Sequence, residues 1–117
     1  MIDDYAKAME LMENMKARLP IPVFPKKPLV HTLRDKGTKI TSKKTLSIKS
    51  VIYLGDEGGV GCDLGIIGDD KEVIVCSLTH LSLHTRHPLA NKIRAYQRER
   101  KTKLARQDLK TSPQRLY

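Results

Sequence analysis

Apolar and polar positions alternate through residues 46 to 81 in three runs, LSIKSVIYL, VGCDLGII and VIVCSLTHL, set apart by the acidic, glycine-bearing stretches GDEGG and GDDKE. A period of two between such turn signals predicts a three-stranded antiparallel β-meander with strands at about 46–54, 60–67 and 73–81. Register can be tested on paper, because a slip of one residue turns every side chain to the other face. A first turn centred on Glu57 sets Leu54 opposite Val60, Ile52 opposite Cys62, Ser50 opposite Leu64 and Ile48 opposite Ile66. A second centred on Asp70 sets Ile66 opposite Ile74, Leu64 opposite Cys76, Cys62 opposite Leu78 and Val60 opposite His80. All are even-numbered, so Leu46, Ile48, Ile52, Leu54, Val60, Cys62, Leu64, Ile66, Ile74, Cys76 and Leu78 are expected on one core face. The odd-numbered face is mixed and holds Gly61 and Gly65; glycine inside a strand marks close approach, and Tyr53 lying over Gly61 is the expected reason.

On either side the period changes to three and four. Ile2, Tyr5, Met9, Met12, Met15 and Leu19 form one stripe of an amphipathic helix at about 3–18, with Asp3 and Asp4 at its positive end and Pro20 as its stop. The methionines of this stripe are expected to cover the sheet, since an apolar sheet face needs a partner layer; an adaptable docking surface is the other use of such residues. PIPVFPKKP, residues 20–28, reads as a stiff extended connector. Pro28, the patch Leu29, Val30 and Leu33, and Gly37 then predict a short helix at about 28–36. Pro88, with His87 as a cap, opens a helix at about 88–106, whose stripe of Leu89, Ile93, Tyr96 and Leu104 is broken where Arg100 stands. Its first half is therefore expected to pack on the protein and its second half to project, with 108–117 as a flexible tail. The expectation is an α+β fold, one small globular domain over 1–107.

Composition narrows the class. A chain of 117 residues supports one core, and no apolar run approaches the length of a membrane span or of a leader, which sets the expected compartment as cytoplasmic, with no membrane partner. Cys62 and Cys76, offset in the pairing above and without a CxxC spacing, read as buried small hydrophobes.

Charge is divided along the chain. Residues 1–18 carry three basic and four acidic side chains, residues 19–50 eight and one, residues 51–83 one and six, and residues 84–117 ten and two. Lys92, Arg94, Arg98, Arg100, Lys101, Lys103 and Arg106 encircle the last helix, and Lys43 and Lys44 precede the first strand. Such clusters are candidate contacts for the phosphates of RNA, DNA or a ribonucleoprotein, and a solubilised helix face is the competing reading. With no Trp, one Phe and four Tyr, the sheet has no row of aromatic residues for stacking bases, and no helix-turn-helix or zinc-finger spacing appears.

Catalytic chemistry finds little support. His80, His84 and His87 are a weak metal candidate, because a strand end and a helix start interrupt the spacing and no thiolate or carboxylate completes the set. GDEGGVG lacks the Lys and Ser or Thr of a phosphate-binding loop, and adjacent Asp56 and Glu57 on an exposed turn have no cause for perturbed acidity. No cofactor is expected. The sequence therefore points to a small basic, non-enzymatic binding protein contacting nucleic acid or a ribonucleoprotein through its last helix. The alternative is a protein-interaction module or homo-oligomeric adaptor using a sheet edge or the Met-bearing helix.

Overall fold

The structure, a computed structural model, describes residues 2–68, 71 and 73–111, with side chains through residue 107. It is an α+β fold of three helices and two three-stranded antiparallel sheets. The helices are α1 (Tyr5–Lys16), α2 (Lys27–Asp35) and α3 (Ala90–Thr111), close to the expected positions. Asp4 caps α1 by accepting the Lys7 N–H at 3.1 Å. The inner face of α1 buries Ala8, Leu11, Met12 and Met15, so of the expected stripe Met12 and Met15 are core, Met9 and Leu19 are partly buried against it, and Tyr5 is exposed. In α2, Leu29, Val30 and Leu33 are buried. It ends as glycine permits: Gly37 adopts φ 88°, its N–H reaches Arg34 O at 3.0 Å, and the Thr38 N–H reaches Leu33 O at 2.9 Å. Helix α3 runs on to Thr111, past the expected end at 106. Of the expected tail, 112–117 lie outside the described residues. No described helix is long and apolar enough to cross a membrane.

The proline-rich connector is itself a strand, β1 (Ile21–Pro25), which buries Ile21, Val23 and Pro25. Strand β2 (Leu46–Ile48) pairs with its first half, Ile21 to Val23, and β6 (Leu81–Ser82) with its second, Phe24 and Pro25. No residue of β1 has to bond on both sides, so Pro22 and Pro25 are tolerated as they would be on an edge strand. The second sheet is the expected meander, β3 (Ser50–Tyr53), β4 (Val60–Ile67) and β5 (Val73–Ser77), in that order. The run expected as one strand over 46–54 is thus broken at Lys49, and the chain passes from one sheet to the other there.

The break corrects the register of β3. Val51 lies opposite Cys62 and Tyr53 opposite Val60, one residue from the expected pairing, because Gly55–Glu57 form a turn of 3₁₀ helix in place of a symmetric turn. Val51 and Tyr53 consequently pack against the core, while Ile52 and Leu54, expected inside, are exposed. Leu54, rather than Tyr53, is what lies over Gly61: a Cβ there would meet Leu54 Cδ1 at 2.7 Å.

Between β4 and β5 the pairing starts with Ile67 opposite Val73, as expected, then passes an irregularity between Asp63 and Ile67 where Gly65 adopts φ 70°. Beyond it the register has moved by two, with Cys62 opposite Cys76. Two is the side-chain period, so the core face survives: Val60, Cys62, Leu64, Ile74, Cys76 and Leu78 are all buried. The cysteines face each other directly, unlike the expected offset, and are free thiols; burial raises both, Cys76 to about 12. After β5, expected to run to 81, a turn of 3₁₀ helix at Leu78–His80 carries the chain into β6 and back to β1. The chain thus runs from β1 through β2, β3, β4 and β5 to β6, which returns to pair with β1, and the two sheets share one buried cluster.

Candidate functional site

Helix α3 presents two stripes of opposite character. On the inner one, which Leu89 just before the helix prolongs, Leu89 and Ile93 are buried, Tyr96 is half-buried and Arg100 has a side-chain exposure of only 3%. The stripe therefore continues through Arg100, where it was expected to fail. Arg100 Nη1 donates to Asp3 Oδ1 at 3.0 Å in a buried ion pair, and Nη2 donates to Asp56 O at 2.6 Å. Tyr53 and Tyr96 each donate a hydroxyl to Asp3 Oδ2, at 3.0 and 2.9 Å, and the Tyr96 hydroxyl accepts the Val60 N–H at 2.9 Å. Burial and the Asp3 hydrogen bond hold the Tyr53 phenol up at about 12 and raise that of Tyr96, so both remain donors. Arg100 is thereby removed from the basic residues open to a partner.

The outward stripe holds Arg94, Arg98 and Lys101, spaced by four and three and therefore on one face. Across from it, the Lys26 N–H bonds His80 O at 2.9 Å and extends the β1–β6 ladder, setting Lys26 beside His80. Together these enclose a groove of about 590 Å³ between α3, the 78–80 turn and the start of α2. Its walls carry Lys26, His80, Arg94, Arg98 and Lys101, with Pro28, Thr79, Gln97 and Leu104, and none of these described lining residues is a carboxylate. Lys26, Arg94, Arg98 and Lys101 make no ion pair among the described residues. The cations feel one another: partial burial and then the Lys101 charge lower Lys26, and partial burial and then the Lys26 charge lower His80. A phosphate entering the groove would relieve that repulsion and accept charge-assisted bonds from the guanidinium forks.

The other expected contacts are dispersed. Lys103 pairs with Glu99 at 3.1 Å, and Lys92 lies between α1 and α3 in a depression shared with Glu10 and Glu99. Arg106 is exposed outside the groove. Lys43 and Lys44 join Arg34 and Lys39 around a separate, open depression of about 530 Å³. His84 Nδ1 accepts the Arg86 N–H at 3.1 Å, and His87 Nδ1 accepts the Leu89 N–H at 3.0 Å just before α3. Among the described residues no group of three His, Cys, Asp or Glu is placed to hold a metal ion. Lys26 and Gln97 were not anticipated; the α3 face was legible in its spacing, but Lys26 joins it only through the β1–β6 pairing.

No family model matches the chain, and no curated protein or solved structure matches it.

Proposed function

We propose that this is a non-catalytic binding protein that takes the phosphate backbone of nucleic acid, free or within a ribonucleoprotein, in the groove between α3 and the 78–80 turn. The observation that supports this reading is the convergence of Lys26, Arg94, Arg98 and Lys101 on one concavity that has no carboxylate among its described lining residues. Solubility alone does not call for Lys101 to be held close enough to Lys26 to add to the effect of burial in lowering its proton affinity. A labelled oligonucleotide titrated at increasing salt tests the reading. Neutralising about three or four phosphates is expected to weaken binding roughly 20- to 150-fold between about 50 and about 200 mM salt. The exposed-site variant Arg94→Glu with Arg98→Glu and Lys101→Glu is expected to abolish binding with its circular dichroism unchanged, whereas Lys43→Glu with Lys44→Glu weakens it less. Binding that ignores salt, or survives the triple reversal, refutes the proposal.

A second reading, self-association through the meander, is favoured by its outer face, where Ile52, Leu54, Ile67, Val73 and Val75 are all at least 41% exposed. Strand β5 is the last of its sheet and carries neither proline nor lysine, the usual guards of an open edge. On this reading sedimentation shows a concentration-dependent dimer that Val75→Lys dissolves; a monomer at about millimolar concentration excludes it.

A further inference from the structure

We infer that the groove holds an unpaired strand in preference to a duplex, a conclusion that rests on the polyanion reading above and specifies its ligand. Three features carry it. The first is shape: at about 590 Å³ the concavity falls within the size of sites that enclose a small molecule. It shares Lys26, Arg94 and Gln97 with an adjoining hollow of about 220 Å³ reaching Ser82 and Leu83. Two adjoining hollows with shared walls suit consecutive nucleotides of a flexible chain, whereas a duplex offers its phosphates on a rigid convex surface.

The second feature is the apolar lining. Pro28 and Leu104 lie among the cations. The face of an unpaired base can rest on them or stack on the guanidinium planes of Arg94 and Arg98, but in a duplex those faces are hidden in the base stack. The absence of an aromatic row on the sheet does not bear on this site, which lies on α3.

The third feature is a fixed acceptor. Gln97 Nε2 donates to Leu78 O at 2.8 Å and to Leu81 O at 2.7 Å. Only the amide NH₂ can serve both carbonyls, so its orientation is set and both its hydrogens are used. Oε1 makes no hydrogen bond among the described residues, and no buried side-chain oxygen or nitrogen among them lacks a partner, so Oε1 reaches the surface of the half-buried Gln97. Such an acceptor on a wall rich in cations favours a ligand that brings a donor together with its phosphate. The base-edge N–H groups of an unpaired nucleotide and the ribose 2′-hydroxyl are such donors, and pairing occupies the former in a duplex.

The test compares, at one low salt concentration, a labelled single-stranded RNA 12-mer, the DNA of the same sequence, and the blunt duplex of that DNA, by fluorescence anisotropy with the intact protein. The single strands are expected to bind at least roughly tenfold tighter than the duplex, the scale of one base-stacking contact. Leu104→Ser is expected to reduce that preference while leaving the salt dependence in place. RNA bound tighter than DNA assigns the Gln97 contact to the 2′-hydroxyl; equal binding of the two assigns it to the base edge, and both results support the inference. A duplex bound as tightly as the single strands overturns it while leaving the polyanion reading intact; binding of none of the probes overturns both. A nucleoside monophosphate that displaces the strand at equal concentration overturns the strand form and leaves a free nucleotide as the ligand.

Discussion

Replacing Arg100 by Met is expected to lower the free energy of unfolding by about 3–5 kcal/mol, the cost of leaving one member of a buried ion pair without its partner. Each side chain of the Arg100–Asp3 pair is 3% exposed, so water cannot substitute for the lost group. The carboxylate would retain only the Tyr53 and Tyr96 hydroxyls, and Asp56 O would lose its donor. Asp3→Asn should cost a similar amount from the other side, by leaving a guanidinium buried beside a neutral amide. The double variant should cost clearly less than the sum, because neither charge then remains to be desolvated alone. Urea denaturation of the four proteins closes the cycle. Single variants that each lose under about 1 kcal/mol would mean that the pair behaves like a surface ion pair, contrary to its burial.

That pair also explains where the sequence was readable and where it was not. All three helices were legible, because caps, prolines and three-and-four spacing are local signals: Asp4, Pro28 with Gly37, and His87 act near their own helices. Arg100 was misread because apolar periodicity counts a charge as exposed, and the residue that reverses this, Asp3, lies 97 positions away. Asp3 was in turn assigned to the α1 dipole, although only its neighbour caps that helix. The core face of β4 and β5 survived because its irregularity shifts pairing by two, whereas the 3₁₀ turn at 55–57 shifts β3 by one and sends Ile52 and Leu54 outward. Of the groove, the cations of α3 were visible as composition, but not their division into an inner and an outer set. With Arg100 held on the inner side by Asp3, Arg94, Arg98 and Lys101 are left to face Lys26. The buried pair thus sets the rotation of α3 that assembles the candidate site.

Gly59→Ala is the second substitution expected to have a large effect, and Gly55→Ala supplies its control. Both glycines occupy the left-handed region, at φ 65° and 75°. Any L-residue there costs about 1–2 kcal/mol. At Gly55 nothing lies within 4 Å of where the methyl would stand, so that conformational term should be the whole effect. At Gly59 the methyl would overlap the Tyr96 hydroxyl and approach Arg100 Nη1 at 2.9 Å and Cζ at 3.0 Å. These atoms cannot withdraw freely, since the hydroxyl bonds Val60 N and Asp3 while the guanidinium bonds Asp3 and Asp56 O. Displacing them should add about 1–3 kcal/mol for each buried partner left unsatisfied. Gly59→Ala is therefore expected to unfold at markedly lower urea than Gly55→Ala, with the same slope against denaturant. If the added loss comes from the network, introducing Gly59→Ala into Arg100→Met should cost less than introducing it into the parent protein, because part of the obstacle has been removed. An equal cost in both backgrounds would place the added loss at the Tyr96 hydroxyl and the backbone, and separate Gly59 from the pair that orients α3.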